Sequence, residues 1–208
     1  MSYNVLVVDD QTMSRQLFEN IINNSDHYNL VESVDSASIA DVYCAKMKVD
    51  LILMDVVMSG GINGIEAAAR IKDSYPNIKI LIVTSMPDGS FLDKARHAKV
   101  DSFWYKEVQD VPLLEIMDRT MAGEHVYPDN APIVAIGFAK STDFTSRELE
   151  VLRYVAAGYS DKEIAQMLVI SYGTVRVHLN NLLQKTACTS RTELAILAAK
   201  TGIVVPEV

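Results

Sequence analysis

Polar residues that could bind or receive a phosphoryl group follow four short apolar runs in the first half of the chain. The runs at 5–8, 51–54, 78–83 and 103–105 are followed by Asp9 with Asp10, by Asp55, by Thr84 and by Lys106, respectively. If these runs are parallel strands of one α/β sheet, their carboxyl ends share the edge at which such sheets bind ligands. Three carboxylates, a hydroxyl and an ammonium would meet there, which suits a divalent cation and a phosphoryl group. We expect Asp55 at the middle of this site.

The elements that must position these residues alternate between strand and helix. Apolar runs lie near 4–8, 29–34, 50–54, 78–83 and 101–105, and amphipathic segments lie near 12–23, 36–47, 63–75, 88–98 and 110–122. This alternation predicts an α/β domain over residues 1–122, a doubly wound parallel sheet of (βα)5 type. The segment 123–141 contains Pro128, Pro132 and Gly137, has little helical period, and is interpreted as a linker.

The remainder of the chain, residues 142–208, has an all-helical pattern. Capping boxes, in which a Ser or Thr is followed three residues later by Glu, are predicted at Thr145 with Glu148, Ser160 with Glu163, and Ser190 with Glu193. Ser171 is a further candidate N-cap, so four short helices are expected. The connection from Leu168 to Ser171 is short enough for a helix-turn-helix.

The helix after Ser171 has two distinct faces. Its apolar stripe consists of Val175, Leu179, Leu182 and Leu183, and its small or polar stripe consists of Gly173, Arg176, Val177 and Asn180. Arg pairs well with guanine and Asn with adenine in the DNA major groove. An ordinary surface helix would show the same periodicity, but residues 164–191 contain three Lys or Arg and no acid, which favours DNA.

Composition and charge restrict the class of protein. The net charge of −8 lies entirely in the first 125 residues, where 19 acids face 11 Lys and Arg, while the rest is neutral. The sequence shows no signal peptide and no window apolar enough for a membrane span. Cys44 and Cys188 match no metal or redox spacing, which favours reduced thiols. We therefore expect a cytoplasmic protein without a membrane partner.

These residues resemble a known family. The ordered set Asp9, Asp10, Asp55, Thr84 and Lys106 is similar to the receiver domain of bacterial two-component response regulators, which has the flavodoxin-like fold. The string FTSRELEVLRYVAAGYSDKEIAQMLVISYGTVRVHLNNLLQKTACTSRTEL resembles a LuxR-type helix-turn-helix. Together they resemble the NarL/FixJ class of response regulators over almost the whole chain.

The resemblance implies a phosphorylation mechanism. Asp9, Asp10, Asp55 and the backbone carbonyl of Val57 would hold Mg²⁺, and Asp55 would accept the phosphoryl group of a partner histidine kinase. Lys106 would neutralise charge on that group and Thr84 would hydrogen-bond it, with Phe103 turning inward behind Thr84 as part of the switch. The protein is therefore not expected to be an enzyme, apart from slow autodephosphorylation.

The resemblance also implies the output. Phosphorylation would produce a homodimer that binds double-stranded promoter DNA and regulates transcription, with RNA polymerase as a further candidate partner. Arg176, Val177 and Asn180 would face the groove. Candidates for contact with the DNA backbone are Lys162, Ser171, Thr174, His178, Lys185 and Arg191.

Departures from the family pattern occur at functional positions. The loop Ser59 to Asn63 lacks the usual Pro and is one residue longer, which affects the expected phosphoryl lifetime. Lys99 and Ser102 lie where glycine is common, and Thr186 replaces the usual Leu after Lys185.

Two other classes of function remain open. An aspartyl-phosphate phosphatase would need a second Asp where this chain has Val57. A receiver that acts only through protein partners would use its helical half as an interaction module, and loss of DNA binding in Arg176→Ala would argue against that alternative.

Overall fold

A computed structural model describes residues 2–58, 62–106 and 112–201. The chain divides into two compact units. One, here the N-terminal unit, is built mainly from residues up to 130, and the other, the C-terminal unit, mainly from residues from 131 onward. Within the described residues, no helix is long and apolar enough to cross a membrane.

The N-terminal unit is a parallel sheet. Its five strands within the described residues are β1 (Tyr3–Val8), β2 (Tyr28–Val34), β3 (Leu51–Met54), β4 (Lys79–Thr84) and β5 (Ser102–Tyr105). They are ordered β2-β1-β3-β4-β5. The central strands share a buried apolar stretch, residues 5–8 of β1, 51–54 of β3 and 80–83 of β4, because helices cover both faces of such a sheet. The predicted doubly wound α/β fold is confirmed.

Helices connect the strands on both faces of the sheet. They are α1 (Thr12–Asn23), α2 (Ala40–Lys46), α3 (Gly64–Ser74), α4 (Ser90–His97) and α5 (Leu113–Met121). The predicted segment 36–47 begins as a 3₁₀ turn at Ala37–Ile39 before α2. The sheet face toward α1 and α5 carries the core cluster, which includes Val5, Val7, Leu53, Leu81, Trp104, Phe18 and Met117.

A buried ion-pair network fixes the other end of the sheet, where β4 and β5 begin. The Asp101 carboxylate accepts hydrogen bonds from Lys72 Nζ at 2.7 Å, Lys79 Nζ at 2.9 Å and the backbone N–H of Ile80 at 2.9 Å. Burial by itself raises the pKa of Asp101, but these bonds outweigh burial and hold that pKa below its ordinary value. The network therefore ties α3 to the starts of two strands.

Part of the predicted linker 123–141 packs on the N-terminal unit. The backbone O of Val126 accepts a hydrogen bond from Phe103 N at 2.8 Å, and the Tyr127 hydroxyl donates to Val100 O at 2.8 Å. The Tyr127 ring also lies 6.3 Å from the Phe103 ring and beneath the Arg96 guanidinium. The chain after α5 thus continues along the edge strand of the sheet.

The C-terminal unit opens with a short hairpin of β6 (Ala135–Ile136) and β7 (Ala139–Lys140). Its helices are α6 (Ser146–Ala156), α7 (Asp161–Met167), α8 (Tyr172–Thr186) and α9 (Arg191–Lys200). On the predicted apolar stripe of α8, Val175, Leu179 and Leu182 are buried and Leu183 is half-buried. The boundaries 1–122, 123–141 and 142–208 stay a prediction.

The predicted helix starts agree with the structure except in one detail. Both halves of the capping box form at Thr145 with Glu148 and at Ser160 with Glu163. At Ser190 the hydroxyl accepts from the backbone N–H of Glu193, but the Glu193 carboxylate accepts from Thr189 N instead of Ser190 N. The complete capping box predicted at Ser190 is therefore wrong, because the carboxylate reaches one residue further back, to a backbone N–H and hydroxyl of the same residue.

Candidate functional site

Three carboxylates meet at the carboxyl edge of the sheet. Asp9 and Asp10 follow β1, and Asp55 follows the neighbouring strand β3. One carboxylate oxygen from each residue lies within 4.8 Å of the other two. Asp9 is fully buried and Asp55 is 3% exposed, so their charges are poorly solvated and require a nearby cation.

Lys106 supplies one such cation. Its Nζ lies 2.5 Å from Asp9 Oδ2 and 3.6 Å from Asp55 Oδ1, and it also donates to Ser14 Oγ at 3.3 Å. The backbone N–H of Lys106 donates to Thr84 O at 2.9 Å, which aligns the end of β5 with the end of β4. The ammonium is thus directed between two of the acids.

The backbone beneath Asp55 is held from two sides. Its N–H donates to Val8 O at 2.8 Å, which continues the pairing of β3 with β1. On the other side, Gly64 N donates to Val56 O at 2.9 Å, and a Cβ built on Gly64 would lie 1.7 Å from the backbone O of Asp55. Only glycine fits at this position. Gly64 was not among the predicted site residues, although a glycine at the start of a helix pattern is a usable signal.

The remaining predicted residues of this site occupy buried positions. Thr84 ends β4 at 1% exposure, opposite Tyr105 of β5. The Phe103 ring is 1% exposed and lies 5.0 Å from the Tyr105 ring. Val57 is buried two residues beyond Asp55. Of the predicted loop Ser59 to Asn63, residues 59–61 lie outside the described residues.

The donor set fits a small divalent cation. Mg²⁺ takes hard oxygen ligands at about 2.1 Å, so ligand oxygens around it are up to about 4.2 Å apart. The three carboxylate oxygens, all within 4.8 Å of one another, are close enough for one cation to draw them together. Asp9 Oδ1 already accepts from Gln11 N at 2.8 Å, and its second lone pair is suited to a metal.

A second group of predicted residues lies on the C-terminal unit. Along α8, the side chains of Arg176, Val177 and Asn180 are exposed, with Val177 at 58%. Ser171 caps the helix, because its Oγ accepts from Thr174 N at 3.0 Å. This face presents a cation, an amide and an apolar group to solvent, which is the chemistry that reads base edges.

Comparisons with known proteins identify the family to which each part of the chain is similar. Residues 5–118 match the model of the response regulator receiver domain, and residues 142–198 match that of the bacterial regulatory proteins of the luxR family. The response regulator protein VraR of several Staphylococcus aureus strains is 31% identical over 209 residues, covering 98% of this chain and 100% of VraR. The chain belongs to the LuxR-type two-component response regulators.

Solved structures show the same fold for this response regulator. The RcsB response regulator of Salmonella typhimurium aligns with a TM-score of 0.61 at 18% identity, over 96% of this chain and 98% of RcsB. A structure of two RcsB dimers bound to two parallel DNAs aligns with a TM-score of 0.58 at 18% identity, over 96% of this chain and 98% of that one.

Two of the predicted DNA-backbone contacts in this response regulator have partners within the protein. Lys185 Nζ donates to Glu148 Oε2 at 2.6 Å and to Asp143 O at 2.9 Å. Burial by itself raises the pKa of Glu148, but the bonds from Lys185 and Thr145 hold that pKa below its ordinary value.

Arg191 is held in the same manner. Its Nη2 donates to Tyr159 O, and its Nε donates to Asp161 Oδ1 at 3.3 Å. Contact of Lys185 and Arg191 with the DNA backbone stays a prediction. The same holds for the roles of Lys162, Thr174 and His178. Lys162 and Thr174 are exposed, whereas His178 is half-buried and its Nδ1 has no hydrogen-bond partner among the described residues.

Proposed function

We propose that this response regulator accepts a phosphoryl group on Asp55 from the phosphohistidine of a partner histidine kinase, and that phosphorylation controls transcription through DNA binding. The observation that carries the proposal is the convergence of Asp9, Asp10 and Lys106 on Asp55 at one edge of the sheet. A cluster of acids with a directed lysine matches the demands of phosphoryl transfer, in which catalysis consists mainly of positioning and charge neutralisation.

In the transfer step, a carboxylate oxygen of Asp55 attacks the phosphorus. The new bond is O–P, the bond to the histidine nitrogen breaks, and its electron pair stays with the imidazole. Lys106 Nζ, 3.6 Å from Asp55 Oδ1, donates to an oxygen of the transferred group. Asp9, Asp10, Asp55 and the carbonyl of Val57 would hold Mg²⁺, which when bound withdraws charge from the phosphoryl oxygens.

The phosphoryl group adds about −1.5 to −2 charge at a buried position, so the site must supply donors for it. Thr84 ends β4, the strand that pairs with β3 before Asp55, and its hydroxyl donates a hydrogen bond to the phosphoryl group. Phe103 fills the space behind Thr84 in the switched state. The buried positions of both residues support these roles.

We further propose that the phosphorylated protein binds promoter DNA as a homodimer. Arg176, Val177 and Asn180 read base edges, and the phosphate contacts come from Lys162, Ser171, Thr174, His178, Lys185 and Arg191, with RNA polymerase as a later partner. The exposure of the base-reading side chains on one helix supports this role. A relative with the same fold, RcsB, has been solved as dimers bound to DNA.

Phosphorylation of Asp55 is tested by incubation with acetyl phosphate and Mg²⁺ followed by intact-mass measurement. We expect the mass of one phosphoryl group on the wild type and none on Asp55→Ala. Asp35→Ala is the matched control, because Asp35 follows β2 at the same sheet edge, is exposed and lies outside the acidic cluster. An adduct on Asp55→Ala equal to that of the wild type would refute the proposal.

A further inference from the structure

Asp161 is an acid next to a helix that is expected to bind a polyanion. It is the first residue of α7 and its side chain is only 15% exposed. Glu163 follows two residues later, and residues 164–191 beyond it contain no acid. A carboxylate at this place repels DNA phosphates, so its position requires an explanation beyond the favourable interaction of an acid with a helix N-terminus.

The Asp161 carboxylate is fixed from one side. Its Oδ1 accepts a hydrogen bond from Arg191 Nε at 3.3 Å, and Arg191 Nη2 in turn donates to the backbone O of Tyr159. Arg191 is the first residue of α9, so the carboxylate is anchored to two helices rather than to a flexible chain. An anchored acid can orient a mobile partner.

The other oxygen of Asp161 is directed at the predicted base-reading arginine. Asp161 Oδ2 lies 4.0 Å from Arg176 Nη1, and the Arg176 side chain is 56% exposed. A guanidinium carries five N–H donors, and an acid on one edge leaves another edge for the O6 and N7 atoms of a guanine. The contact also limits the conformations of a long side chain before DNA binds, which reduces the entropy lost on binding.

We propose that Asp161 is a positioning residue that orients Arg176 for base readout and weakens its attraction to phosphates in general. This inference rests on the proposed DNA readout by α8. Partial neutralisation by Asp161 reduces the attraction of Arg176 to any phosphate, which is the source of non-specific binding. The bidentate hydrogen bond from Arg176 to a base still requires one orientation of the guanidinium, and the contact with Asp161 helps to hold the side chain in that orientation. Asp161 therefore raises the ratio of specific to non-specific affinity.

The experiment uses the full-length protein after treatment with acetyl phosphate and Mg²⁺. Selection from a random duplex library with the wild type supplies two probes, the most enriched duplex and a scrambled duplex of the same composition. Fluorescence anisotropy at one fixed salt concentration gives Kd for both probes. We expect Asp161→Asn to bind the scrambled duplex more tightly and to lower the specificity ratio by about threefold or more, as for coupled neighbours. Asp161→Ser serves as a second neutral variant if thermal unfolding shows that the first is not folded.

Three controls separate the interpretations. In the Arg176→Ala background, Asp161→Asn should no longer change the ratio. Glu150→Gln removes one charge from the same unit, but Glu150 pairs with Arg147, so the ratio should stay at the wild-type value. The positioning role is wrong if Arg176→Ala lowers the specificity ratio but Asp161→Asn leaves it unchanged. An equal loss of affinity for both probes in Asp161→Asn is one form of that result. If Arg176→Ala itself keeps the wild-type ratio, the proposed readout by Arg176 is wrong.

Discussion

Val169, in the turn between α7 and α8, adopts a backbone conformation that normally belongs to glycine. Its φ is +52°, and two hydrogen bonds close the end of α7 around it, from Val169 N to Gln166 O and from Ile170 N to Ala165 O. This pair of bonds defines a Schellman motif, whose left-handed residue is usually Gly. The helix before it, α6, ends in the same motif with Gly158 at φ +87°. Val169 therefore carries a conformational cost that Gly158 does not.

The magnitude follows from the exposure of the side chain. A left-handed conformation costs an L-residue about 1–2 kcal/mol. Because Val169 is 89% exposed, truncating it removes almost no buried apolar surface. The greater freedom of glycine in the unfolded chain offsets about 0.4–1 kcal/mol. We therefore expect Val169→Gly to raise the free energy of unfolding of the C-terminal unit by about 1 kcal/mol, which for a unit of this size raises Tm by about 4–8 °C.

Differential scanning calorimetry of the full-length protein measures this shift. The reverse variant, Gly158→Val, is the matched control, because a Cβ at Gly158 would meet nothing within 4 Å and the change is purely conformational. It should lower the Tm of the same transition, which also assigns that transition to the C-terminal unit. The fluorescence of Trp104, the single tryptophan, reports the N-terminal unit and should not shift. An unchanged or lower Tm for Val169→Gly, alongside the expected fall for Gly158→Val, would refute the reasoning.

Two further predictions concern the N-terminal unit. Gly64→Ala places a Cβ 1.7 Å from the backbone O of Asp55. We therefore expect urea unfolding to show a loss of about 3 kcal/mol of stability and intact-mass measurement to show a smaller phosphoryl adduct. In the control Gly173→Ala the new Cβ makes only an ordinary contact, so stability should change by less than about 1 kcal/mol. Asp101→Asn leaves two lysines without their acid and should cost about 3 kcal/mol at pH 7. Since the pKa of Asp101 is lowered in the folded state, this stabilisation is present above about pH 4 and is lost as the pH falls through the lowered value. If the difference in free energy of unfolding between Asp101→Asn and the wild type stays constant on acidification, the assignment is contradicted.

Strand positions could be predicted from the sequence because a parallel sheet with two covered faces requires nearly continuous apolar runs. The convergence of Asp9 and Asp55 followed from the same pattern, since the carboxyl ends of neighbouring parallel strands share one edge. The exact reach of Lys106 did not follow, because a long flexible side chain selects its partner only after packing. In the structure its closest acid is Asp9, at 2.5 Å, and Asp55 is more distant.

Long-range polar partners were the main features that the sequence could not supply. Lys185 and Arg191 were assigned to the DNA backbone, but their bonds to Glu148 and Asp161 join residues 37 and 30 positions apart. No periodic pattern encodes such pairs, because they depend on how the helices of the C-terminal unit pack. Tyr127 was likewise hidden, since its neighbour Pro128 is a linker signal even where the backbone lies along a strand edge.

The two described helices that end in a Schellman motif without glycine both precede candidate functional elements. Lys99, at φ +56° after α4, is followed by β5, which carries Phe103 and leads to Lys106. Val169 is followed by α8. Glycine at either position would remove the conformational cost but would also widen the range of directions in which the chain leaves the helix. A left-handed non-glycine residue persists where the surrounding structure requires it, and such residues concentrate at functional sites. The conformational cost at Lys99 and Val169 is therefore best understood as the energy required to restrict the direction in which each functional element begins.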